Sequence, residues 1–142
     1  MNEEKQDKLK SFPNRSTIYG TLNAVGGKRV RFQFFRTRAG NEPVRAWLRS
    51  MSPEDKRRIG HDIQTVEFGW PLGMPICRPM GDGLHEIRTE LSGNRTARLF
   101  FCVDKKQRMV ALHAILKKTR ATPPEDLELA RQNKREHEKD LR

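Results

Sequence analysis

Cations supply most of the chemistry this sequence could do. Arg88 lies in the run "LHEIRTEL" (84–91), Arg95 and Arg98 stand at the head of "TARLFFCV" (96–103), and Lys117-Lys118 close "MVALHAIL" (109–116). The short polar links "SGN" and "DKKQ" make these three runs an antiparallel meander, in which the start of one strand lies beside the end of the next. Arg98 is therefore expected beside Lys117 and Lys118, forming a basic pocket at one end of a sheet. Arg95 and Arg120 flank this set and are read as RNA-binding.

Such a pocket suits phosphoryl transfer without a metal. Attack by an RNA 2′-OH on its own phosphate needs a base for the hydroxyl proton, cations for the growing charge, and an acid for the leaving 5′-oxygen. Arginine fits the charge-holding role because its fork matches phosphate oxygens and it stays protonated. Lysine serves as base only where neighbouring cations depress its pKa. The 2′-OH also distinguishes RNA from DNA.

Each residue has a plainer reading. Arg88 alternates with Ile87 and equally fits an outward strand residue paired with Glu86 or Glu90. Lysines at a strand end often serve solubility or edge protection. His113, between Leu112 and Ala114, fits a hydrogen-bonded core histidine better than a general base. Trp47 and Trp70 fall at helical core positions. "EHEKDLR" at the end reads as a solvated helix tail.

The elements that would position these residues follow from periodicity. "RVRFQFFRT" (29–37) alternates as a half-buried strand. Pro43, followed by Val44, Trp47, Leu48 and Met51, opens a helix with one apolar face. "SPED" (52–55) restarts a second helix, with Ser52 as cap, Pro53 in the first turn and Ile59, Ile63, Val66 and Trp70 as its stripe. Residues 42–69 thus form a helical hairpin. The Gly- and Pro-rich stretch 69–83 reads as an irregular connection. After the meander, Thr122, Pro123 and Glu125 have the spacing of a capping box opening a last helix, about 123–140, with Leu127 and Ala130 as its inner face. The class is α+β: one antiparallel sheet with helices packed on it. Residues 1–28 are weakly patterned and read as an N-terminal extension that is flexible or folds only against something else; 29–142 is the main domain.

Composition sets the outer bounds. The 142 residues fit one domain, and 29 Lys+Arg against 18 Asp+Glu give a formal net charge of +11, which suits a polyanionic partner. Cys77 and Cys102 have neither CxxC nor zinc spacing and read as reduced, partly buried thiols. The four histidines are scattered. No metal or cofactor site is expected, and no P-loop, dinucleotide fingerprint or Gly-x-Ser-x-Gly elbow is present. Without an apolar run near membrane length or a signal-peptide core, a cytoplasmic protein is expected.

Taken in order, the motifs "GDGLHEIRTEL", "RTARLFFCV", "LHAILKKT" and "TPPEDLELA", with "NEPVRAWLRSMSPEDKRRIGHDIQTVEFGWPLGMP" upstream, resemble RelE/HigB-type toxins, in particular the phage-derived HigB-like branch. The resemblance spans about residues 29–138. It implies a microbial-RNase-like antiparallel sheet with helices on one face and a toxin of a type II toxin–antitoxin pair. It also implies mRNA cleavage on the translating ribosome without metal, and a cognate antitoxin, often a helix-turn-helix protein. On that resemblance Arg88, Arg98, Lys117 and Lys118 bind phosphate and stabilise the transition state, with His113 a weaker candidate. Some branches use a Tyr or His near the C-terminus as acid or base; here the single tyrosine is Tyr19. The competing functions are a gyrase poison of the ParE type on the same scaffold, and a non-enzymatic module that only binds nucleic acid.

Overall fold

The structure, a computed structural model, describes residues 27–117 and 121–140. Five strands and three helices follow in the order β1 (Arg31–Phe34), α1 (Pro43–Arg49), α2 (Pro53–Gly69), β2 (Cys77–Gly81), β3 (Leu84–Leu91), β4 (Arg95–Val103), β5 (Arg108–Lys117) and α3 (Pro124–Asp140). This is the expected α+β class. The strands form one sheet in the order β1-β5-β4-β3-β2.

Two features of the sheet depart from expectation. β1 pairs in parallel with β5, so the sheet is mixed. The stretch expected to be irregular contains β2, an edge strand antiparallel to β3. Its proline, Pro79, is tolerated because an edge strand can spare one N–H donor. β2 and β3 are joined by a turn in which Gly81, Asp82 and Gly83 all take positive φ (93°, 54° and 78°), a run that glycines at both ends make accessible.

The helix starts follow local chemistry. Pro43 and Pro53 stand in the first turns of α1 and α2, and the Ser52 hydroxyl accepts the Asp55 N–H at 3.2 Å. The last helix begins at Pro124, not Pro123, and the Thr122 hydroxyl is turned toward the sheet instead of capping it.

Both faces of the sheet are covered. α1 and α2 pack Val44, Leu48, Ile59, Ile63 and Val66 against Ile87, Ala97, Leu99, Phe101 and Met109. α3 lies on the opposite face, setting Ala130 and Leu127 against Phe100, Cys102, Val110 and Leu112. Helices on one face alone, which the resemblance implied, is thus corrected. β4 explains why: Leu99 and Phe101 point to one face while Phe100 and Cys102 point to the other, and each apolar face needs a cover. Fully burying each such side chain contributes roughly 1.5–3 kcal/mol.

The end of α3 is anchored, which corrects its reading as a solvated tail. His137 is buried, and its Nε2 meets Asp104 Oδ2 at 2.9 Å. Asp104, in the β4–β5 turn, also accepts from the N–H groups of Lys106 (2.9 Å) and Arg108 (3.0 Å) and from Arg108 Nε (2.8 Å). Cys77 and Cys102 are free and buried, and burial raises both thiols to about 12. Among the described residues, no helix is long and apolar enough to cross a membrane.

Candidate nucleic-acid interface

The β3–β4 register decides what the arginines do. Arg88 lies directly opposite Arg98, and on β5 Ile115 lies opposite Arg98 and Lys117 opposite Thr96. Two guanidinium-bearing residues side by side on one sheet face would repel. Glu86, fully buried on β3, answers this. Its Oε1 accepts from Arg88 Nε at 2.7 Å, and its Oε2 accepts from the Thr122 hydroxyl at 3.1 Å. The same hydroxyl accepts from Arg98 Nη1 at 2.5 Å. The result is a chain Arg88–Glu86–Thr122–Arg98 that ties β3, β4 and the approach to α3 into one charged unit. Its strength comes from ionised partners in a poorly hydrated setting.

Arg98 is the deepest of the arginines, with 1% of its surface exposed. Burial holds its guanidinium below the ordinary arginine value, Arg88 and Arg78 add to that, and Glu86 and Glu90 oppose it. Arg88 is the outward member, with about a third of its side chain in solvent. Arg78 was not singled out from the sequence. It stands on β2 opposite Glu86, exposed, and its charge is felt at Arg98. A strand of five residues containing Pro79 and Gly81 gives too little alternation to read, so "CRPMG" carries no strand signal.

The other candidates fall into place differently. Lys117 ends β5 on the strand neighbouring Arg98, as the meander required, while Lys118 and Arg120 lie outside the described residues. Arg95 is separated from the cluster. It forks onto Asp55 at the start of α2, at 2.8 and 3.2 Å, on the face carrying the helical hairpin. Hydrogen bonding from Arg95 is the main reason the Asp55 carboxyl sits below its ordinary value. His113 stands beside the cluster on the α3 side. Its Nε2 meets Asp126 Oδ1 at 2.8 Å, and its ring stacks near Phe100 at 6.1 Å between centroids. Among the described residues, no group of three or more His, Cys, Asp or Glu side chains could hold a metal ion.

Arg78, Arg88, Arg98 and Lys117 thus lie on four adjacent strands, with buried Glu86 as the internal counter-charge. Exposed Arg78 and half-buried Arg88 offer donors suited to phosphate oxygens. Buried Arg98 adds positive potential from beneath, where screening by water is weak.

The family model described as Phage derived protein Gp49-like (DUF891) matches residues 46–135, well over half of the chain. The chain belongs to this family. Gp49-like proteins are a RelE-like toxin family of toxin–antitoxin systems, so membership implies a cognate antitoxin as partner. The Gp49-like segment begins within α1, ends within α3 and contains every residue of the cluster. It supports the toxin family expected from the motifs without singling out the HigB branch. No curated protein matches the chain.

Proposed function

We propose that this Gp49-like protein is the toxin of a type II pair of the HigB-like branch. In this reading it cleaves mRNA on the translating ribosome by metal-independent attack of the 2′-OH on the adjacent phosphate. The observation that carries the reading is the four-strand cluster of Arg78, Arg88, Arg98 and Lys117 organised around Glu86 and Thr122. Arg88 and Arg78 hold the non-bridging phosphate oxygens as charge grows on them. Arg98 is a positioning and field-setting group rather than a direct contact. As the 2′-O–P bond forms, the P–O5′ bond breaks to leave a 2′,3′-cyclic phosphate; in the pair Lys117-Lys118 a neutral amine takes the 2′-hydroxyl proton, and the partner ammonium shares the charge-holding and gives a proton to the leaving 5′-oxygen. Glu86 and Thr122 fix the arginine forks, so little reorganisation accompanies the reaction. Arg120 extends the RNA contact, and an antitoxin of the helix-turn-helix type neutralises the protein. Arg95, engaged by Asp55 on the other face, is left out of the RNA contact.

Inducible expression in a bacterial host tests this, comparing wild type with Arg88→Ala and Arg98→Ala while growth and transcript 5′ ends are followed. The expected result is growth arrest with new 5′ ends inside translated codons, lost in Arg88→Ala at unchanged protein level. Arrest without new ends would move the target to gyrase or elsewhere. No arrest from a folded wild-type protein would leave a nucleic-acid-binding module.

A further inference from the structure

Many of the cations on this protein are matched by a local carboxylate: Arg36 and Arg45 by Glu42, Arg38 by Glu136, Arg58 by Glu54, Arg135 by Glu128. At the end of the sheet remote from Arg98, Lys28 and Arg108 are matched by Glu67 and Asp104, but four neighbouring cations are left over. Arg29 and Arg31 flank buried Val30 and are both exposed. The Arg31 N–H donates to Gln107 O at 3.1 Å, which sets the start of β1 against the β4–β5 turn. Lys105 and Lys106 occupy that turn, also exposed. Among the described residues, none of these four side chains has an ion pair. The carboxylates within reach are spent: Asp104 is buried under Arg108 and His137, and Glu67 is buried beneath Lys28 and the Phe32 N–H.

We infer that Arg29, Arg31, Lys105 and Lys106 form a second polyanion-binding surface, taking the phosphate backbone of an RNA segment other than the strand at the proposed cleavage site. The separation supports a distinct contact. From Arg98 to Asp104 along β4 is about 20 Å at ~3.3 Å per residue, beyond one Debye length at physiological salt. The chemistry of the surface selects the partner. Phe32 and Phe34, the aromatic residues of β1, are buried, so bases find no stacking platform there and recognition is confined to backbone phosphates. A protein partner would need an apolar anchor. Among the described residues, the large exposed hydrophobics Met74, Leu116 and Leu129 all lie elsewhere, in the α2–β2 connection, at the end of β5 and on α3. Four unmatched cations with no anchor among the described residues suit a sequence-independent, salt-sensitive grip on folded RNA.

The test uses the full chain and a fluorescent blunt RNA duplex of arbitrary sequence. Affinity is measured against salt for wild type, for Arg29→Gln/Arg31→Gln/Lys105→Gln/Lys106→Gln, and for Arg88→Ala/Lys117→Ala. The quadruple variant should lose at least about tenfold in affinity, and its log Kd against log salt slope should fall by about three. The double variant removes two contacts of the proposed cleavage site and should also lose affinity, but its slope should fall by no more than about two, less than in the quadruple variant. Thermal melts should coincide for wild type and the quadruple variant, since no ion pair is removed. An unchanged slope in the quadruple variant overturns the inference. So does polyglutamate that competes as well as RNA at equal charge, which would reassign the surface to an acidic protein. Cleavage is not read, so this test and that of the proposed function fail independently.

Discussion

Glu86→Gln is the sharpest perturbation of the cluster, because it removes a charge and keeps the shape. Glu86 is fully buried, holds Arg88 Nε at 2.7 Å and accepts from Thr122, whose hydroxyl receives Arg98. A hydrogen bond to a charged group contributes about 1.5–3 kcal/mol. Breaking a buried charge network by deleting one partner typically costs about 3–5 kcal/mol, because the remaining charge stays desolvated. The two are not additive, and Arg88 can relax into water, as its partial exposure allows. Arg98 cannot, since it is sealed. The expected loss is therefore about 3 kcal/mol, toward the lower end of the range for broken buried pairs. At roughly 4 °C per kcal/mol for a domain of this size, that is a fall in Tm of about 12 °C. The assay is thermal unfolding by circular dichroism alongside urea titration, with RNA cleavage measured well below the variant's Tm. Cleavage should fall with the loss of arginine orientation even where the protein is folded. A Tm shift below about 3 °C together with unchanged cleavage would refute the view of Glu86 as the organiser of the cluster.

Two further outcomes follow from the geometry. His113→Ala should lower the unfolding free energy by about 1–2 kcal/mol through loss of the Asp126 bond and the Phe100 contact, while the proposed cleavage persists in the folded variant; lost cleavage at constant stability would make His113 a catalytic group instead. Acid should unfold the protein through Asp55 and Asp104. Burial pushes the Asp104 carboxyl up, but hydrogen bonds from His137, Arg108 and Lys106 outweigh it, and Arg95 lowers Asp55, so both lie below the ordinary 3.8. Depressed carboxyls contribute fully above the unfolded value and lose that contribution as pH falls toward the folded one. The urea midpoint should therefore hold down to about pH 5 and drop below about pH 4, with Asp104→Asn removing part of that drop.

The elements were legible where a local rule fixes them. Pro43, Ser52 and Pro53 mark helix starts in sequence because the first turn's missing donors are a neighbour-scale problem. The runs 84–91, 96–103 and 109–116 were legible from the short polar links that bound them, although β4 and β5 are buried on both faces and do not alternate. The pairing of Arg98 with the β5 end was legible too, since short links force sequential strands together. The strand hidden in "CRPMG" was not, because an edge strand of five residues is held by its partner more than by its own pattern.

What the sequence determined by itself is therefore a basic α+β chain with a meander that brings cations to one sheet end. Only the tertiary structure decided which cations stay together. It put Arg95 on the opposite face with Asp55, brought Arg78 in from β2, turned Thr122 from helix cap to bridge, and buried His137 against Asp104. The reason is common to all four. A charged side chain chooses its partner by distance and desolvation across the fold, and those depend on strand order and on which face a helix covers, neither of which is written in neighbouring residues.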